Sequence, residues 1–251
     1  MEQTPYLTIV IPAYNEVALI EQTLDLVANF LAERNLSAEV LVVDDGSTDG
    51  TADLSEAALK RLGLCGRVLR QNSNVGKGAA VQRGMREGKG QLLLMTDADL
   101  STPLEEYEKL AKALAAGADI AIASRGLKQS RLEPPQPWWR QSLGKLYGLV
   151  RRLILLPRVV DTQCGFKLFT AEAAHEVFSR QTISGWAFDA EILYIACLLG
   201  YRIVEVPVTW RNRRESKVRI FRDVWRVLRD LLAVRFRHRH LARSRRRSEN
   251  S

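Results

Sequence analysis

Short apolar runs alternate with longer amphipathic stretches along this chain. Residues 7–11 (LTIVI), 39–43 (EVLVV), 67–70 (RVLR), 92–96 (LLLMT) and 119–124 (DIAIAS) have the length and residue types of buried strands. Segments 16–34, 51–62, 77–88 and 103–115 lie between them and carry apolar residues at helical spacing. Parallel strands need a long crossover and a helix supplies it, so this alternation predicts a mostly parallel sheet with helices on both faces. Ligands of such sheets bind beyond the carboxyl ends of the strands. The informative residues are therefore those that follow each strand: PAYNE, DDGSTDGT, QNSNVGKG, DADLSTP and SRG.

From about residue 126 the pattern changes. A proline-bearing loop (KQSRLEPPQPWWRQ) precedes a basic amphipathic segment (SLGKLYGLVRRLILLPRVV). DTQCGFKLF follows, then two helical stretches, the strand RIVEVPV and a basic tail. The expected architecture is an α/β, Rossmann-like domain over 1–212 and a basic amphipathic C-terminal helix and tail over 213–251. With 251 residues, 46% of them hydrophobic, the chain has enough apolar surface for a full core.

Charge is unevenly placed. Residues 211–251 hold 15 Lys/Arg against 4 Asp/Glu, whereas 1–210 hold 22 against 25, so the net charge of +8 arises in the tail. Ile220, Phe221, Val224, Trp225, Leu228, Leu231 and Leu232 recur at helical spacing among arginines. Such a helix suits the headgroup layer of an anionic membrane, or the flank of the body with its arginines in water. Segment 142–158, with Trp138 and Trp139, tips the reading toward peripheral membrane contact. No apolar run reaches the ~18 to 20 residues of a span. The N-terminus also lacks the layout of a signal peptide. A cytoplasmic protein, peripheral on the cytoplasmic face of a membrane, is expected. Cys65, Cys164 and Cys197 show no metal or disulfide spacing. Nucleic-acid binding through the tail would leave the acidic motifs of the body unexplained, and no nucleic-acid partner is expected.

Asp97 and Asp99 repel each other across Ala98 and add nothing to a strand. Helix capping is the usual reason for Asp after a strand, but Thr102, Pro103 and Glu105 spell a capping box of their own. Two hard oxygen ligands at a strand end instead suit Mg2+ or Mn2+ carrying a diphosphate. In VVDDGSTDGT a turn at Gly46 and a cap at Ser47 or Asp49 explain the small residues but not the adjacent Asp44 and Asp45. A carboxylate there accepts from a base N–H or ribose hydroxyls. NVGKGAA fits neither the P-loop nor the dinucleotide glycine pattern. Lys77 and Arg83 read either as diphosphate or base contacts or as solvated helix residues.

VIPAYNE, VVDDGSTDGT, NVGKGAA, TDADLSTP and SRG stand in the order and at the spacing of glycosyltransferase family 2, and the chain resembles that family over nearly its whole length. DTQCGFKLFT, WAFDAEILYIA and SKV are similar to its dolichyl-phosphate β-glucosyltransferase branch. The resemblance implies the GT-A fold and an inverting transfer of a hexose, glucose from UDP-glucose, to a polyprenyl phosphate. It places Pro12, Ala13, Tyr14, Glu16, Asp44, Asp45, Gly46, Lys77, Asp97 and Ala98 around the nucleotide sugar. It gives Asp97 to ribose or metal, Asp99 to the metal, and Arg125 and Arg140 to the acceptor phosphate. Lys217 and Arg219 are further candidates for that phosphate.

An acceptor phosphate is ionised at neutral pH and needs no strong base, which fits a chain with three histidines, none in a rim motif. Asp161 and Asp189 are the remaining acidic candidates. Against a hydroxyl acceptor one of them would act as base, against a phosphate they would orient substrate. Their bland readings are a turn residue and a helix N-terminal charge. GDP-mannose as donor, or a hydroxyl acceptor, is the alternative. Cys164 reads as a packed thiol.

Overall fold

The computed structural model describes residues 4–133, 148, 154–211 and 220–241, with backbone alone for 220–228. In chain order the strands are β1 (Leu7–Ala13), β2 (Ala38–Asp44), β3 (Gly66–Arg70), β4 (Leu92–Met95), β5 (Ile120–Ser124), β6 (Arg131–Glu133), β7 (Lys167–Thr170), β8 (Ile203–Pro207) and β9 (Thr209–Arg211). The helices are α1 (Ile20–Glu33), α2 (Thr51–Arg61), α3 (Lys77–Glu87), α4 (Tyr107–Ala115), α5 (Ala171–Arg180), α6 (Phe188–Leu199) and α7 (Ile220–Arg237). Seven strands form one sheet in the order β3-β2-β1-β4-β7-β5-β8, and β6 pairs with β9. Within the large sheet only β7 runs antiparallel to its neighbours β4 and β5.

Strand side chains alternate between two cores, as the two-residue period requires. Val10, Val43, Leu93, Met95 and Ile122 pack with Val81, Phe178 and Ile192 of α3, α5 and α6. Ile9, Ile11, Val42, Leu94 and Ala123 pack with Leu24, Leu59 and Leu110 of α1, α2 and α4. All six predicted strands form, RIVEVPV as β8, their bounds close to those expected.

Three local expectations are corrected. Helix α1 starts at Ile20 rather than 16, because Asn15 adopts φ +54° and turns the chain first. The capping box does not form: Thr102 is buried with its Oγ1 3.5 Å from Cys164 Sγ, and a 3-10 turn (Leu104–Glu106) without a side-chain cap precedes α4. Strand β7 was not expected, since its four residues KLFT begin with a lysine in mid-sheet.

Helix α7 spans Ile220–Arg237, and its described half packs on the body. Leu231 and Val234 join the core while Leu232 and Phe236 stay exposed. Among the described residues no helix is long and apolar enough to cross a membrane. Arg140, Lys217, Arg219, Trp138 and Trp139 lie outside the described residues.

Candidate active site

Parallel pairing brings the predicted motifs to one edge. Ala13 pairs with Asp44, Val10 with Met95, and Ser124 with Pro207, so the segments after β1, β2, β4 and β5 share a rim. Because β7 runs the other way, its first residue, Lys167, also falls there, paired with Met95 and Ile122.

On the β1–β2 side the two loops are clasped by amides and small oxygens. Ser47 Oγ accepts from Asn15 N (2.9 Å), Thr51 Oγ1 from Glu16 N (2.9 Å) and Asp49 from Val17 N (3.2 Å). Asn15 Oδ1 in turn accepts from Thr48 N at 2.9 Å. This fixes Pro12, Ala13, Tyr14 and Glu16 at the rim, with Tyr14 exposed. Asp45 has both oxygens engaged, by Val75 N (2.8 Å), Gly76 N (2.9 Å) and Gln71 Nε2 (2.9 Å), so it holds the NVGKG loop in place. Gly46, at φ +74°, leaves no room for a Cβ, which would lie 2.5 Å from the Ser73 backbone. Asp44 is different. It is buried, its Oδ2 accepts from Ser47 N (3.2 Å), and its Oδ1 has no partner. A buried acceptor without a donor is costly, and a ligand N–H or hydroxyl removes that cost.

The turn after β4 is held from three sides. Thr23 of α1 donates to the Ala98 carbonyl (2.5 Å), Leu100 N to Asp97 O (3.1 Å), and Ser101 donates through N (2.9 Å) and Oγ (2.8 Å) to Asp99. Leu100 adopts φ +47°, a conformation that costs a branched L-residue about 1–2 kcal/mol and survives only where its surroundings fix it. Lys77, first residue of α3, donates to Asp97 Oδ1 at 2.5 Å. Burial pushes the Asp97 carboxyl up, but Lys77, with Lys167 and Arg125, holds it below the usual range. The Lys77 ammonium, depressed by burial, is in turn held above its ordinary value by Asp97, Asp189 and Asp99. Gly165 lets this carboxylate in, since a Cβ there would lie 2.2 Å from Asp97 Oδ2.

On the β5–β8 side the order comes from ion pairs. Arg125 donates to Asp161 through N (3.0 Å), Nε (2.7 Å) and Nη2 (3.1 Å), and its guanidinium lies 5.4 Å from the centre of the Trp210 ring. Burial would raise the Asp161 carboxyl, but Arg125 and the amides of Arg125 and Gln163 bring it down to about 2. Glu205 of β8 accepts from Val160 N (2.6 Å) and Asp161 N (2.9 Å), fixing that turn. Asp189 forms a buried ion pair with Lys167, beneath the rim, and burial raises its carboxyl despite the lysine.

The structure thus brings Asp44, Lys77, Asp97, Asp99, Arg125 and Asp161 to one edge, while Asp45 and Asp189 support it from behind. Arg83 turns away, bound to Arg70 O (2.6 Å) and Glu87 (3.1 Å). Sequence reasoning missed Thr23, Gly165, Lys167, Glu205 and Trp210. Gly165 and Lys167 carried a signal, a glycine and a lysine inside an otherwise apolar CGFKLF. The others carried none.

The residues fit a divalent cation. Among the described residues no three His, Cys, Asp or Glu side chains gather, so the chain offers the two carboxylates of the DAD turn. Mg2+ is commonly held by one or two carboxylates plus substrate phosphates. Asp97 is balanced by Lys77, whereas Asp99 accepts from the uncharged amide and hydroxyl of Ser101.

Residues 8–178 match glycosyl transferase family 2. The chain belongs to that family and is a glycosyltransferase. It is 38% identical over 230 residues to a dolichyl-phosphate beta-glucosyltransferase of Trichomonas vaginalis, covering 86% of this chain and 66% of the relative. It is 36% identical over 250 residues to the Mus musculus dolichyl-phosphate beta-glucosyltransferase, covering 94% and 76%. Its fold resembles Mycobacterium tuberculosis glucosyl-3-phosphoglycerate synthase in complex with Mn2+, UDP-glucose and phosphoglyceric acid, with a TM-score of 0.67 and 21% identity over 93% of this chain and 79% of the other. The GT-A fold expected from the motifs is therefore present.

Proposed function

We propose that this enzyme transfers glucose from UDP-glucose to a polyprenyl or dolichyl phosphate, with inversion, at the cytoplasmic face of a membrane. The observation that carries the acceptor class is the state of the two candidate bases. Asp161 is clamped by Arg125 with its pKa brought down to about 2, and Asp189 is buried on Lys167. A hydroxyl acceptor must lose a proton as it attacks, and neither group is placed to take it. A phosphate arrives ionised and requires only alignment and charge compensation. The names of the relatives support the same acceptor, and the UDP-glucose held by the mycobacterial structural neighbour supports the donor.

In this reading Asp44 Oδ1 accepts from the base N–H, and Pro12, Ala13, Tyr14 and Glu16 line the nucleotide pocket. Mg2+ or Mn2+ on Asp99, with Asp97 beside it, supplies positive charge for the leaving diphosphate. Lys77 sets the position and charge of Asp97. Arg125, fixed by Asp161 and backed by Trp210, faces the acceptor phosphate, with Arg140 and Lys217 as further candidates. Exposed Leu232 and Phe236 beside Arg229, Arg235 and Arg239 on and just beyond α7 support peripheral membrane contact.

The test is a transfer assay with purified protein, Mg2+ or Mn2+, and labelled UDP-glucose or GDP-mannose, each with and without a prenyl phosphate. Label should reach lipid from UDP-glucose, and Asp99→Ala should lower the rate by about 100-fold or more while leaving the fold intact. Label reaching a hydroxyl acceptor in the absence of lipid would overturn the reading.

A further inference from the structure

The segment between α5 and α6, residues 181–187, is a built loop that carries an exposed aromatic ring near its end. Glu191 of α6 accepts from Thr182 N (3.1 and 3.0 Å), Thr182 Oγ1 (2.6 Å) and Ile183 N (2.8 Å), and Gln181 Nε2 donates to Gly78 O (2.9 Å) and Ile183 O (2.8 Å). Ser184 O accepts from Ala79 N at 3.3 Å. Gly76 and Gly78 admit this close approach, since a Cβ at either would lie 2.5 or 2.7 Å from a loop carbonyl oxygen. Two residues from the C-terminal helix region lock the loop from outside: His238 Nε2 lies 2.8 Å from Glu191 Oε1, and Arg237 Nη1 donates to Thr182 Oγ1 at 2.9 Å.

These bonds fix residues 181–184, and two positions further on stands Trp186, which is 58% exposed. Its ring lies 5.3 Å from Lys77 Nζ, the ammonium that binds Asp97. The indole thus offers an uncovered apolar face beside the Lys77–Asp97 pair, which an apolar part of a ligand can cover. The loop also stands between the catalytic edge, through Lys77, and the basic apolar helix, through Arg237 and its exposed neighbour Phe236. A ligand that spans those two regions is anionic at one end and apolar beyond it.

We propose that Trp186 is a binding residue for the acceptor, covering the first prenyl units next to the phosphate. This rests on the acceptor proposed above. A hexose on the same ring is the competing occupant, and the two differ in whether the acceptor KM or the UDP-glucose KM responds to loss of the indole.

The experiment uses a water-soluble, short-chain prenyl phosphate in detergent-free buffer, so that membrane partition plays no part. Trp186→Ala should raise the KM for this acceptor more than tenfold and leave UDP-glucose affinity, measured by calorimetry, within twofold. Trp186→Phe should restore most of the loss. An unchanged acceptor KM in Trp186→Ala, a rise in the UDP-glucose KM instead, or an effect confined to acceptor in liposomes would each overturn the assignment while the functional reading stands. Wild-type protein that glucosylates no prenyl phosphate would overturn both.

Discussion

The two halves of the catalytic edge are ordered by different forces. Around the loops after β1 and β2, neutral side chains and single carboxylates accept backbone amides: Ser47, Thr51, Asp49 and Asp45. Around β5, β7 and β8 the order comes from opposed charges: Arg125 with Asp161, and Lys167 with Asp189. Lys77 with Asp97 joins the two. Amide clasps fix a shape and leave one acceptor, Asp44 Oδ1, open for a ligand donor. Ion pairs fix charged side chains such as Arg125 in place before a ligand arrives. In the proposed function the first arrangement serves the base and the second the acceptor phosphate.

The largest effect that sharpens this contrast is expected at the buried pair. Lys167→Met strands Asp189 and should cost about 3–5 kcal/mol of stability, measured by urea unfolding. The double variant Lys167→Met with Asp189→Leu should recover most of it, and a double variant as unstable as the single one would show that the charges themselves, not their pairing, hold β7 in the sheet.

A smaller effect belongs to Arg125 and Asp161. The Asp161 carboxyl is depressed from 3.8 to about 2, so it binds fewer protons folded than unfolded near pH 3. Its contribution is complete above about pH 5, falls as pH drops through both pKa values, and is gone below about pH 1; it amounts to about 2 kcal/mol. The stability difference between wild type and Asp161→Asn should therefore shrink on acidification from about pH 5 to about pH 2. A difference that does not change over that range would remove the ion pair as its source.

The smallest effect is expected on the amide-clasped side. Asp44→Asn keeps an oxygen for Ser47 N but replaces the open acceptor or opposes it with an amide, so UDP affinity should fall about tenfold, about 1.4 kcal/mol. Stability should hardly move. A loss of stability as large as at Lys167 would erase the distinction between the two halves.

Much of the first half was legible in the chain. Each apolar run had the length of a strand, and strand ends of a parallel sheet share an edge, so PAYNE, DDGSTDGT and DADLSTP could be placed together from their order alone. The local reading of their capping was less sound, because Thr102 and Asp99 choose between competing short-range partners, and Cys164, 62 residues away, decides for Thr102. Asp45 looked like a ligand contact because its partners, Val75 and Gly76, are distant in sequence.

By itself the sequence determined the alternation of strands and helices, the family, and the acidic turn after β4, since each rests on residues within one short segment. Only tertiary structure decided that β7 enters the sheet backwards, that Lys167 neutralises Asp189, that Glu205 sets the Asp161 turn, and that Trp186 stands over Lys77. Those are contacts between segments tens of residues apart, and a buried charge or an exposed ring takes its meaning from what the fold brings beside it.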